Sequence, residues 1–463
     1  MNELGTHLQP DKGQPATALH LVDKKGVEGC LKAQPERVRQ AASAQGFKGD
    51  GFQLAILPGE RTEDWSVLLG VADVEALSPW CLAKAAESLP EGRYRVEGRA
   101  AGAAVLGWLL GQYGFDRYRA PKEKKGPRVL LTPEPARIDE TVRLAEATFL
   151  VRDLVNTPAG DLGPAELEAA ARAVADECGA EVTVTAGKAL EDGYPMIHAV
   201  GQAAIESRAP RLIELRWGDR RHPKLALVGK GVCFDSGGLD IKPASGMRLM
   251  KKDMGGGAHA LALARLVMGA KLPVRLHLLI PAVENAVSGA AFRPGDVLRS
   301  RKGLTVEIGN TDAEGRLILG DALAKAAEDE PELILDFATL TGAARVALGP
   351  DLPALFANDD RLAEDLLRAG SEVSDPLWRM PLWKPYDEMF ASDIADFGNA
   401  ADGGFAGAVT AALFLQKFVP EATPWAHFDT FAWRASAKPG RPKGGDALGL
   451  RAAFATLASR YGG

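Results

Sequence analysis

The chain is expected to be an α/β protein of two domains, a smaller N-terminal α/β domain and a larger C-terminal one. The larger domain would have a central mixed, mostly parallel sheet covered by helices. Three observations predict this. β-type apolar runs alternate with helical patterns along the whole sequence, as in α/β architectures. The runs of the second half are continuously apolar, as strands buried on both faces are. A Lys-, Pro- and Gly-crowded stretch, RAPKEKKGPRVLLTPEPARID (Arg119–Asp139), breaks the pattern between two ordered-looking regions. The expected division is therefore an N-terminal domain over 1–126, a linker and bridging helix over 127–157, and the second domain over 158–463.

Taken in order, TALHLV, FQLAILP, WSVLLGV and YRVEG read as short strands, and LSPWCLAKAAESL as a helix between them. IDETVRLAEATFLVRDLVN then places apolar residues at helical spacing and stops before Pro158. Beyond it RLIELRW, KLALVG, VRLHLLIPAVEN, TVEIGN, ELILDFATL and HFDTFA read as buried strands, separated by helices such as EGRLILGDALAKAAED. In such sheets ligands sit beyond the carboxyl ends of the strands.

Composition limits the function classes. The 463 residues are 46% hydrophobic and 25% charged, with 55 Lys+Arg against 61 Asp+Glu and a net charge of −6. That balance does not suggest nucleic acid as a partner. The N-terminal residues lack a basic segment followed by an apolar one, so no secretory leader is expected. AAVLGWLLGQYGF (Ala103–Phe115) is too short and Gly-broken to span a bilayer. Cys30, Cys81, Cys178 and Cys233 lack CxxC spacing and read as reduced thiols of a cytoplasmic protein.

Four strand-end segments carry unusual polar content. They are VGKGVCFDSGGLDIKP with Lys230, Asp235 and Lys242, MRLMKKDMGGGAHALALARL with Asp253, NTDAEGRL with Asp312, Glu314 and Arg316, and DFATLTGA after a strand. If TVEIGNTDAEG continues as a strand, Asp312 and Glu314 point the same way. Two carboxylates sharing a site repel, so one holds a proton or both face a cation. An isolated Asp-x-Glu is more simply an Asx turn with a capping acid ahead of a helix. Four carboxylates in glycine-rich turns after strands instead suit divalent cations, and bridging carboxylates hold two ions about 3.5–4 Å apart. No HExxH is present, which argues against a zincin. Cys233, beside Asp235, reads as a buried strand residue rather than a soft ligand.

VGKGVCFDSGGLDIKP, MKKDMGGGAHALALA, NTDAEGRLILGDAL and DFATLTGA resemble, in order and spacing, the signature segments of the leucyl aminopeptidase (M17 cytosol aminopeptidase) family. RDLVNTP and SDIADFGNAADGGFAGAVTAALFLQKFV resemble it too, so the likeness runs from about Arg152 to Asp429. It implies a macro-domain-like N-terminal domain and a catalytic dinuclear metallopeptidase domain. The implied enzyme is a metal-dependent aminopeptidase that releases leucine and other apolar N-terminal residues from peptides with a free N-terminus. Asp235 and Glu314 would touch both ions, Lys230 and Asp253 would complete one, and Asp312 the other. Lys230 must then be deprotonated, which a neighbouring dication favours. The resemblance makes Lys242 the electrophilic stabiliser and Arg316 the holder of a bicarbonate that acts as base. It places Met250 in the pocket for the first side chain and Asn310, Thr339, Leu340 and Gly342 at the substrate. The ions implied are Mn2+ or Zn2+, with Co2+ or Mg2+ as alternatives in one site, and the implied assembly is a homohexamer. No membrane role is expected.

The N-terminal part up to about Gly126 carries no such segment, and the Lys/Gly/Pro-rich loop Lys438–Gly445 leaves the pocket rim undefined. Two other functions compete: a DNA-binding or architectural protein on the same fold, and a catalytically dead scaffold. The acidic balance disfavours the first. The second would have lost a metal ligand or Lys242, and every expected position is filled.

Overall fold

The computed structural model describes residues 3–61, 63–119, 126–401 and 403–462. The Lys-rich stretch 120–125, at the end of the expected N-terminal domain, lies outside the described residues. The chain separates into two compact units, Met1–Phe149 with Ala435–Lys443, and Leu150–Arg434 with Gly444–Gly463.

The first unit is built on a six-stranded sheet in the order Leu8–Pro10, Arg128–Thr132, Gly92–Val96, Thr17–Val22, Trp65–Gly70 and Leu54–Pro58. All neighbours are parallel except the last pair. Trp108, on the wholly buried helix Ala104–Leu110, packs against Tyr94 with ring centroids 5.3 Å apart. Two details differ from the expectation. Arg128–Thr132 lies in the stretch expected as linker, yet every residue of it is buried as an interior strand, because the apolar VLL run outweighs its Pro-rich flanks. The segment Ala435–Lys443, most of the loop left as an undefined pocket rim, groups with this unit. There Arg441 stacks on Trp80 at 4.1 Å and the Gly440 amide donates to Glu87.

The second unit contains a nine-stranded mixed sheet covered by helices. Its middle is parallel: Trp425–Asp429, Leu333–Ala338, Lys224–Gly229 and Arg275–Asn285 run the same way, and Gly231–Asp235 pairs with the far half of Arg275–Asn285. Ala354–Ala357 on one side and Arg211–Trp217 on the other run antiparallel to them, and Glu181–Ala186 pairs antiparallel with Arg211–Trp217. Parallel strands buried on both faces are what the continuous apolar runs encode. The helices Gly255–Gly269 and Glu314–Glu328 lie against this middle. The first can lie close because it opens with three glycines. A Cβ at Gly256 would stand 2.1 Å from the Phe337 carbonyl oxygen, so only glycine fits there.

The expected strand TVEIGN ends at Glu307 and pairs in a separate three-stranded sheet. Among the described residues no helix is long and apolar enough to cross a membrane.

Candidate metal centre

The carboxyl ends of the parallel strands deliver the polar residues. Lys224–Gly229 hands Lys230 into the centre, and Gly231–Asp235 ends on Asp235. Asp253 sits in the 3-10 turn Met250–Met254 just before the triple-glycine helix. Residues 310–313 form a turn, and Glu314 is the first residue of its helix. Asp312 and Glu314 therefore do not converge by strand alternation, as expected from an extended chain. A turn and a helix start bring them together instead, which the strand end at Glu307 makes necessary.

Carboxylate oxygens of Asp235, Asp312 and Glu314 lie within 4.8 Å of one another. Lys230 Nζ is 2.6 Å from Asp253 and 2.8 Å from Glu314, and Lys242 Nζ is 2.7 Å from Asp235 and also meets Asp312. Burial and then the Asp235 charge push Glu314 up to about 8 and Asp312 up to about 6. Burial opposes ionisation of Asp253 too, but Lys230 and Lys252 overcome it and hold it at about 2. Burial likewise works against Lys230 and Lys242, and the surrounding carboxylates raise both above the usual lysine range. These shifts describe a cluster with more buried negative charge than two ammonium groups neutralise. Glu314 Oε2 is buried without a hydrogen-bond partner. Hard oxygen donors with an unsatisfied acceptor fit divalent ions.

The centre opens on a cavity of about 350 Å³ whose wall includes Lys230, Asp235, Lys242, Met250, Asp253, Asp312, Thr339, Leu340 and Gly342. Glu314, Asn310 and Arg316 are not on that wall. The Asn310 side chain accepts from the Asp312 amide at 2.7 Å and so shapes the turn. Arg316 is half-buried, donates to the Asn399 carbonyl at 2.8 Å and leaves its buried Nε unpartnered. Burial lowers its pKa to about 10.

Several positioning groups escaped the sequence reading. Asn285, at the end of Arg275–Asn285, donates to both Asp235 and the Thr311 carbonyl, tying two acid-bearing loops together. Asn399 clasps the turn at 309–313: its Oδ1 accepts from the Gly309 and Asn310 amides, and its Nδ2 donates to the Asn310 and Ala313 carbonyls. Asp429 accepts the Leu340 and Thr341 amides, and Thr339 Oγ1 donates to Asp253 at 2.8 Å. Polar residues at strand ends were the available signal. His259 is structural, with Nδ1 on the Gly255 carbonyl and Nε2 accepting the Leu448 amide. Cys233 is buried, as expected of a strand residue.

A buried, oxygen-rich centre beyond the strands of a mostly parallel sheet, flanked by lysines and open to a cavity, fits a metal-binding protein of the α/β class. Comparison with known proteins agrees. Residues 149–454 match the cytosol aminopeptidase family catalytic domain, and residues 17–131 match the M17 aminopeptidase N-terminal domain. The probable cytosol aminopeptidase of Rhizobium meliloti is 39% identical over 449 residues, 90% of each chain. The crystal structure of the Coxiella burnetii cytosol aminopeptidase superposes with a TM-score of 0.93 at 47% identity, covering 98% of this chain and all of that one. The bottromycin maturation enzyme BotP in complex with Mn has a TM-score of 0.86 at 32% identity, covering 96% and 100%. The chain belongs to the cytosol aminopeptidase family.

Proposed function

We propose that the protein is a two-metal aminopeptidase that removes leucine and other apolar N-terminal residues from peptides. The observation that carries this is the convergence of Asp235, Asp312 and Glu314 within 4.8 Å, facing Lys230 and Lys242. Asp235 and Glu314 would touch both ions, Lys230 and Asp253 would complete one and Asp312 the other, with Mn2+ or Zn2+ as the occupants. The Mn complex of BotP supports a site of this kind. Bound dications supply Lewis-acid polarisation of a carbonyl and a more acidic water.

The chain's own residues do the rest. Lys230 acts as a ligand only after its ammonium proton leaves, which repulsion from a dication favours. The Lys242 ammonium reaches the same carboxylates and stabilises negative charge developing on the carbonyl oxygen. The unpartnered Nε of Arg316 is a donor that would hold an anion such as bicarbonate, which would supply a base. Met250 on the cavity wall receives the first side chain, and Thr339, Leu340 and Gly342 hold the peptide backbone. Cytoplasmic location and a homohexamer belong to the same reading.

Turnover of Leu-p-nitroanilide by the Mn2+-supplemented protein tests the roles. Asp312→Ala and Lys242→Ala each lower kcat by roughly 100-fold or more if these groups act as described. Wild-type rates in both overturn the assignment.

A further inference from the structure

One wall of the cavity carries positive charge that the proposed reaction does not use. Arg345, on the helix Gly342–Leu348, lines the cavity and is exposed. No carboxylate among the described residues lies within ion-pair distance of it. Its guanidinium stands 4.7 Å from the centroid of the Phe431 ring, which is also on the wall. The buried Lys252 points its Nζ toward the same ring at 5.4 Å and has Asp253 Oδ1 only at 3.4 Å. The ring is held by strained backbone, since the next residue, Ala432, has φ 53° and its carbonyl accepts the Asp446 amide. Such strain persists where surrounding structure enforces it, and clusters at ligand sites.

The acids of the cavity are committed elsewhere. Asp235 and Asp312 face Lys242, Asp253 faces Lys230, and Asp429 accepts the Leu340 and Thr341 amides. A guanidinium stacked on an aromatic face is already oriented, and its planar fork matches a carboxylate with two parallel hydrogen bonds. Divalent ions in the same cavity would add to the positive potential rather than cancel it.

We propose that Arg345, braced on Phe431, is a specificity determinant that recognises a substrate carboxylate. This rests on the aminopeptidase reading above. The carboxylate has three sources in a short peptide: the released side chain, the side chain after the scissile bond, and the C-terminus. Matched pairs separate them, namely Asp-Ala-amide against Asn-Ala-amide, Leu-Glu-amide against Leu-Gln-amide, and Leu-Ala against Leu-Ala-amide.

With the Mn2+-loaded protein, at least one charged member is cleaved with kcat/KM roughly ten-fold or more above its neutral partner. The pair that shows the preference identifies the source. In Arg345→Met that ratio falls toward one through a higher KM for the charged member, and in Arg345→Lys it is restored in part. Added salt lowers the wild-type ratio. Equal cleavage within all three wild-type pairs, or an unchanged ratio in Arg345→Met, overturns the proposal. Failure to cleave any of the six peptides strikes the aminopeptidase reading itself.

Discussion

At the scale of single residues, the centre depends on groups that never face the cavity. Asn399 is fully buried and holds the turn 309–313 with four hydrogen bonds. Asn399→Ala leaves two amides and two carbonyls of a part-buried turn short of partners, at about 0.5–1.5 kcal/mol per lost hydrogen bond. It also lets Asp312 and Glu314 drift from Asp235. The expected outcome is a lower melting temperature together with a fall in kcat/KM for Leu-p-nitroanilide that extra Mn2+ only partly restores. Unchanged values of both would show that the turn is held by other means. The acids of this site were legible in the sequence, because Asp235, Asp253, Asp312 and Glu314 stand out in glycine-rich segments. Their clasps were not. Asn285 and Asn399 lie 26 and 89 residues from partners they contact, and a lone asparagine carries no sign of such a partner.

At the scale of elements, the strands and helices followed their apolar patterns closely, and RLIELRW, KLALVG and the helix Ile138–Asn156 keep their expected bounds. Misreadings arose where local chemistry was ambiguous. TVEIGN looks like a continuing strand, but Gly309 and Asn310 give their amides to Asn399 rather than to a ladder. Arg128–Thr132 is a short run whose strand character depends on pairing with Gly92–Val96 and Leu8–Pro10. The triple glycine that opens Gly255–Gly269 is explained only by proximity. Gly256→Ala drives a Cβ into the Phe337 carbonyl, where backbone cannot yield cheaply. It should destabilise by about 1–3 kcal/mol. Gly289→Ala meets nothing within 4 Å and should stay within about 0.5 kcal/mol of wild type. Urea melts of the two variants provide the comparison, and equal midpoints would contradict the close-packing account.

At the scale of the whole molecule, the chain divides into two compact units. The first unit packs around Trp108, which is fully buried and donates from its indole nitrogen to the Arg128 carbonyl at 2.9 Å. Trp108→Ala should cost about 3–5 kcal/mol, read as a lower denaturation midpoint, and a midpoint equal to wild type would contradict that packing. The second unit keeps several carboxylates buried at the end of its sheet, an arrangement that calls for added positive charge. Two-domain organisation and the family of the second unit were readable from composition and motif. The return of Ala435–Lys443 to the first unit was not, because its contacts with Trp80 and Glu87 join positions more than 350 residues apart. Cleavage should depend on metal held by the convergent carboxylates Asp235, Asp312 and Glu314. Metal content and Leu-p-nitroanilide turnover, measured on the same protein before chelation, after it and after Mn2+ is restored, test it directly. Bound metal and activity should disappear and return together in the wild type, and Glu314→Ala should neither retain the metal nor recover. Undiminished cleavage by chelated, metal-free protein would contradict it.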